Sequence, residues 1–359
     1  MIPGKASLIA AAAALAVAGL AAPASAATRG DFKPVRLPFL WPENTLKDVA
    51  AASPDSVWIA GAQGQVRVPG GLTIPGNPVV RRWKGGGWAE YDLQGLPNHG
   101  EIMDVDPVAP EDVWISGSKF GDGNSSSPYL AHFTGSSFAQ VALPAGMSPA
   151  LQADASGVWV LTSTDVYRRT GTTWTHVTSV PDTSRAAFSI RADDDIWILG
   201  TSTGPDQSLI AQHWDGRSWQ SAPMRDPVPG AGFTGIVALS PTDAWATGNV
   251  YRTSPNTPLL MHWDGAAWSN VTPPPGLKTL SGIAKGDDGT LWAIGSAADE
   301  PAKPGLIRYS GGTWERVPTT AAPGGIDIHP SALTVVPGTG ALWTLGTGGT
   351  GGPVVLADG

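Results

Sequence analysis

Asp194-Asp195-Ile196-Trp197-Ile198-Leu199-Gly200, followed by Trp214-Asp215-Gly216-Arg217-Ser218-Trp219, is the stretch whose reading decides the fold. The first phrase is an acidic turn entering an apolar run too short for a helix. The second is an Asp-Gly turn flanked by aromatics. Asp-Gly between β-prone runs signals a hairpin, because both residues tolerate the positive φ of a tight turn. With the run ahead of Asp194, the stretch reads as four short antiparallel strands.

Working outward, the first phrase recurs around Trp58, Trp114, Trp159, Trp245, Trp292 and Trp343, and most copies end in Trp-x-x-Gly. Successive tryptophans lie 38 to 56 residues apart. The second phrase recurs as Trp83 to Trp88, Phe133 to Phe138, Arg169 to Trp174, Trp263 to Trp268 and Tyr309 to Trp314. Seven copies of a four-stranded unit predict an all-β fold, a seven-bladed β-propeller of four-stranded antiparallel blades. After Trp343 the chain supplies only a third strand, Val354 to Gly359, whereas Asp31 to Pro38 carries the pattern of an outer strand. The last blade is therefore expected to be closed by an N-terminal strand. An indole at one register in every unit is expected to fill the wedge between neighbouring blades.

The composition agrees. Of 359 residues, 46 are Gly, 33 Pro, 16 Trp and none Cys; 42% are hydrophobic and only 14% charged. That excludes a disordered chain and a helical bundle. A net charge of -8 lacks the basic footprint of a nucleic-acid binder. Lys5, the apolar run from Leu8 to Ala22 and Ala24-Ser25-Ala26 have the three parts of a secretory signal peptide. The expectation is a signal at 1-26 and a single propeller domain at 27-359, secreted, monomeric and without a membrane span once the signal is removed. Without disulfides, ring closure has to supply the staple.

These phrases resemble those of secreted actinobacterial β-propellers of the kelch-like and two-component-regulator-like superfamilies. The resemblance covers about 46 to 359 and the closing strand near Phe32. It implies an architecture. Such propellers include binding platforms, glycosidases, lyases and oxidases, so the fold does not choose among them.

Two sets of side chains invite a chemical reading. Arg82, His132, Arg168, His213, His262 and Arg308 occupy one position before each hairpin turn. Equivalent places in separate blades cannot converge on one zinc ion, so they are expected to pair with acidic residues of the turns, such as Glu111, Asp112, Asp194, Asp195 or Asp243. The other set lies where the repeat breaks its rule. Asp48 and Asp104 start the innermost strands of the first two blades, with Gln152, Ser189, Gly235, Gly282 and Thr334 aligned to them. Asp48, Asp104 and Gln152 are expected at the mouth of the central channel, joined by His99, Glu101, Arg185 and Lys278. Convergent oxygens there would suit sugar hydroxyls or a divalent cation such as calcium on Asp48 and Asp104. The plainer reading is a solvated channel lining.

The connections at 62-78, 118-128, 201-208, 249-258 and 296-305 are long and polar, and blade three nearly lacks one, which predicts a notch in that face. No G-x-S-x-G elbow, P-loop, H-E-x-x-H or nucleophilic cysteine occurs. The leading expectation is a binding module that recognises a glycan, peptide or cell-envelope component on its loop face. The rival is a propeller enzyme, a carbohydrate-active hydrolase or metal-dependent lyase, with its site at the channel mouth.

Overall fold

The computed structural model describes residues 29-67, 73-74, 76-121, 125-144, 150-181, 184-202, 208-226, 228-251 and 255-359. The expected signal segment and parts of the polar connections lie outside the described residues. Seven blade sheets of four or five strands follow one another along the chain, with a two-stranded ribbon, Val66–Arg67 and Thr73–Ile74, and a short 3-10 turn, Pro323–Gly325, between their strands.

Each blade is a meander from an innermost to an outer strand. In blade one these are Thr45–Ser53, Ser56–Gln63, Asn77–Trp83 and Trp88–Glu90. The innermost strands of the other six are Gly100–Ala109, Ala150–Asp154, Ser184–Ala192, Ala231–Ser240, Gly282–Lys285 and Ile328–Val335. Blade two gains a fifth strand that the repeat did not signal: Asp92–Leu93 runs parallel to the outer strand Ser137–Gln140. Blade seven combines Ile328–Val335, Leu342–Gly348 and Pro353–Asp358 with Phe32–Pro34 from the other end of the chain, Phe32 pairing with Asp358.

The recurring tryptophans sit on the second strands and pack forward onto the hairpin aromatics of the next blade. Trp58 meets Phe133 and Phe138 at 5.2 and 5.6 Å, Trp197 meets Trp263 and Trp268, Trp245 meets Tyr309 and Trp314, and Trp343 meets Trp83 and Trp88 of blade one. At the seam between blades six and seven, Phe32 shares a buried cluster with Trp292.

The glycine of Trp-x-x-Gly has a local cause. A Cβ on Gly61, Gly117, Gly200 or Gly248 would lie 2.1 to 2.2 Å from a carbonyl oxygen of the innermost strand. There each innermost strand bulges by one residue, as between Leu46 and Asp48 and between Phe233 and Gly235. Extra residues of this kind press the backbone against its partner and re-aim the side chains that follow. Blade three has Thr162 at this position, and Ala150–Asp154, the described part of its innermost strand, pairs without a register shift.

Candidate functional site

An innermost strand is a sheet edge, with half its amides facing the channel and no strand to pair with. The polar residues singled out at the channel mouth meet that need. Asp48 accepts from Val105 N of blade two at 2.9 Å and from Val49 N at 2.8 Å. Asp104 accepts from Leu151 N of blade three and from the Ser116 hydroxyl. One rung along, Asp106 accepts from Ala153 N at 3.1 Å, Gln152 brackets the N–H and C=O of Ile190, and Ser189 takes Ala238 N at 3.4 Å. Each side chain reaches from one blade to the backbone of the next. Between blades five and six, buried Asn249 does the same for both backbone groups of Leu280.

The strand register corrects the alignment made from spacing. Gln152, Ser189 and Thr334 stand directly opposite the tryptophans, as Ala50 and Asp106 do. Asp48 and Asp104 instead share a row with Ala187, Gly235, Gly282 and Ala332. The two rows are two residues apart on the same strand face, and counting from the tryptophan does not tell them apart without the pairing. Asp106 belongs to the row opposite the tryptophans, and Asp104-x-Asp106 has the two-residue alternation that puts both on one strand face.

The oxygens of Asp48 and Asp104 are thus engaged with backbone and hydroxyl donors. Among the described residues no three carboxylate or imidazole groups converge as a metal cage. Calcium on this pair therefore gains no support from the geometry.

Burial dominates the electrostatics of the trio. It lifts Asp48 to about 7, with the charge of Asp104 adding to the rise and the amides of Val105 and Val49 opposing it. Asp104 is raised by burial against the Ser116 and Leu151 bonds, and Asp106 is raised well above its ordinary value by burial and by its two acidic neighbours. A carboxyl whose folded-state value exceeds its unfolded one binds protons more tightly in the native state, so this contribution to stability falls as pH rises from about 4 to 7. Asp264 has the opposite sign: the amides of Ala267 and Ala266 lower it to about 2, and its contribution is lost only as pH falls below about 4. The trio's contribution is therefore expected to make the melting temperature higher at pH 5 than at pH 8. Asp48→Asn should flatten the slope, whereas a slope unchanged by the substitution would remove Asp48 as its source.

The basic positions form a repeated ladder on the tryptophans. His132, His213 and His262 stack on Trp114, Trp197 and Trp245 at 4.2 to 4.3 Å and bond to Asp112, Asp195 and Asp243 of their own blades at 2.7 to 2.9 Å. The arginines reach elsewhere. Arg82 and Arg168 pair with Glu111 and Asp193 of the following blades, and Arg308 with Glu315 of its own outer strand. This ladder is scaffold, repeated wherever a blade is complete.

The remaining candidates are spread around the ring. Lys278 is exposed between blades five and six. Arg185 enters the seam between blades three and four and donates to Thr162 O at 2.9 Å, within electrostatic reach of Asp104. Exposed His99 and half-buried Glu101 lie at the entrance to blade two.

The less obvious feature is on the loop face above blades seven and one, where Leu37 and Leu40 pack into the seam. Phe39 and Trp41 are 79% and 59% exposed, their rings 6.4 Å apart and edge to face. Rigid backbone presents them. Trp41 N donates to Gln63 Oε1, Gly64 N to Pro42 O and Gln65 N to Glu43 O, while Asn44 caps Trp41 O. Glu43 has φ 54°, and His99, its counterpart in the next blade, has φ 50°; these are the non-glycine residues in the left-handed region among those described. Backbone strain of that kind persists only where the surroundings impose it, and it gathers at functional sites. Of the exposed large apolar residues, Phe39, Trp41, Val66, Tyr251 and Ile326 fall on connections or strand ends of this same face, and Met103 is the bulged residue of the innermost strand Gly100–Ala109. The aromatic pair breaks no motif, and its signal in the sequence is only that it precedes the first repeat.

No family model matches the chain, and no curated protein does. Solved structures do. The β-propeller domain of the Trilobed protease from Pyrococcus furiosus aligns with a TM-score of 0.54 at 11% identity, over 88% of this chain and 96% of that one. A glucose dehydrogenase aligns at 0.43 and 15%, over 91% and 99%, and the SapL1 lectin in complex with alpha methyl fucoside at 0.43 and 14%, over 79% and 98%. At such identities the likeness is one of fold: the chain is built as a β-propeller.

Proposed function

We propose that the protein is an exported binding module whose loop face, above blades seven and one, holds a glycan, a peptide or another cell-envelope component. The observation that carries this reading is the exposed, rigidly mounted pair Phe39 and Trp41 on the face where the exposed apolar residues gather. Leaving such rings in water forgoes about 1.5–3 kcal/mol of burial apiece, a cost that a partner would recover. The charged n-region and apolar run ahead of Ala26 support export.

The test is an array of envelope glycans and peptides probed with the wild type and with Phe39→Ala/Trp41→Ala. Loss of every array signal with Tm unchanged within about 1 °C is expected. Equal signals from both proteins would move the site elsewhere.

The enzymatic reading has one observation in its favour. A carboxyl held up to about 7, like Asp48, retains a proton near neutrality, as a general acid must.

A further inference from the structure

One row of side chains seals the seams between blades near the loop face. Gly61, Gly117, Gly200, Gly248 and Gly346 pair with Leu46, Ile102, Arg185, Phe233 and Pro330. Leu46, Ile102 and Phe233 are 6%, 0% and 5% exposed and belong to the apolar clusters between blades. Blade four alone in this row carries a cation. Burial lowers the Arg185 pKa, so the fold holds this charge where it is poorly solvated. A desolvated guanidinium is costly unless an anion answers it. Its hydrogen-bond partner is the neutral carbonyl of Thr162, and among the described residues no carboxylate stands within ion-pair distance. Asp104, the acid within electrostatic reach, gives its oxygens to the Ser116 hydroxyl and the Leu151 amide rather than to the guanidinium.

The described residues of blade three also leave this seam low. In blade three the second strand stops at Leu161 and returns through Thr162 to Asp165 in a tight turn, without the long connection that rises above other blades. The notch therefore leaves Arg185 half-buried rather than covered.

We propose that the blade three notch is a subsite for the carboxylate of an acidic sugar, bound by the Arg185 guanidinium. A planar fork of donors matches a carboxylate with two parallel bonds. The same face carries the exposed rings of Phe39, Trp41 and Tyr251, flat apolar surfaces suited to the faces of saccharide rings. The proposal rests on the loop face being the ligand face and names the chemistry of one part of it.

The experiment is an NMR or calorimetric titration of the whole protein with glucuronate, with glucose, and with an acetylated dipeptide as free acid and as amide. Glucuronate is expected to bind, glucose to bind at least about 10-fold more weakly, and Arg185→Leu to abolish the difference. Arg185→Lys keeps the charge without the fork and should fall between. Arg185→Leu restores the residue type of its row, so its Tm should rise by about 1–2 °C. Indistinguishable glucuronate and glucose, or binding of the peptide acid alone, would overturn the proposal. So would a fall in Tm of several degrees for Arg185→Leu, which would make the arginine a structural tie. Monosaccharides read the notch by itself, so a silent array with Phe39 and Trp41 intact and a silent titration here are separate failures.

Discussion

Replacing Trp197 by alanine is expected to destabilise the protein by about 3–5 kcal/mol and to lower Tm by roughly 4–7 °C for a chain of this length. The side chain is 0% exposed. One face stacks on His213 at 4.3 Å, and the ring edges contact Trp263 and Trp268 of the next blade at 5.2 and 5.5 Å. Its indole N–H has no hydrogen-bond partner, so the loss is one of packing rather than of a polar contact. Alanine would open a void at a seam fixed on both sides by sheet hydrogen bonding, which cannot collapse to fill it. Calorimetry with Trp41→Ala as the exposed control separates the two environments. A loss at Trp197 no larger than the control's would mean that the indoles do not hold the blades together.

Asp358→Ala is expected to cost about 2–5 kcal/mol through two buried amides left without an acceptor. The carboxylate is 2% exposed; it accepts from Gly30 N at 2.8 Å and Leu342 N at 2.5 Å, and Arg29 approaches it at 3.5 Å. It thus ties the two chain ends within blade seven, where Phe32 pairs with it through the backbone and fills the seam beside Trp292. Removing residues 29-34 should cost at least as much, since it strips the last strand from a sheet whose third strand would become an unprotected edge. Hydrogen exchange along Pro353–Asp358 reports this directly. Amides there should lose protection in the truncated protein, and unchanged protection would show that the ring does not depend on the N-terminal strand.

Much of this architecture is legible in the chain because repetition averages out local ambiguity. A single Asp-Ile-Trp-Ile run is compatible with many folds, whereas seven at similar spacing admit few. Variable hairpin lengths defeat the finer alignment: Gln152 lies seven residues before Trp159 and Ser189 eight before Trp197, both opposite the tryptophan, whereas Asp48 and Asp104 lie ten before theirs and one rung further along. Roles at the channel were harder still to read, since an aspartate that accepts from the next blade's amide has the same letter as one that grips a ligand. Only the partners of Asp48, Asp104 and Asp106 reveal the difference. Phe39 and Trp41 lie outside the repeat, where no internal comparison marks an aromatic residue as exposed.

A channel stitched by carboxylates and a ligand-bearing loop face answer differently to the loss of charge at Asp48 and Asp104. Asn keeps an acceptor oxygen for one of the two amides that Asp48 holds but cannot deliver a proton or hold a cation as a carboxylate does. The folded Asp48→Asn/Asp104→Asn protein should therefore bind the same array ligands as the wild type at pH 8. A folded double variant that melts like the wild type yet has lost binding or turnover would contradict the account and place the chemistry in the channel.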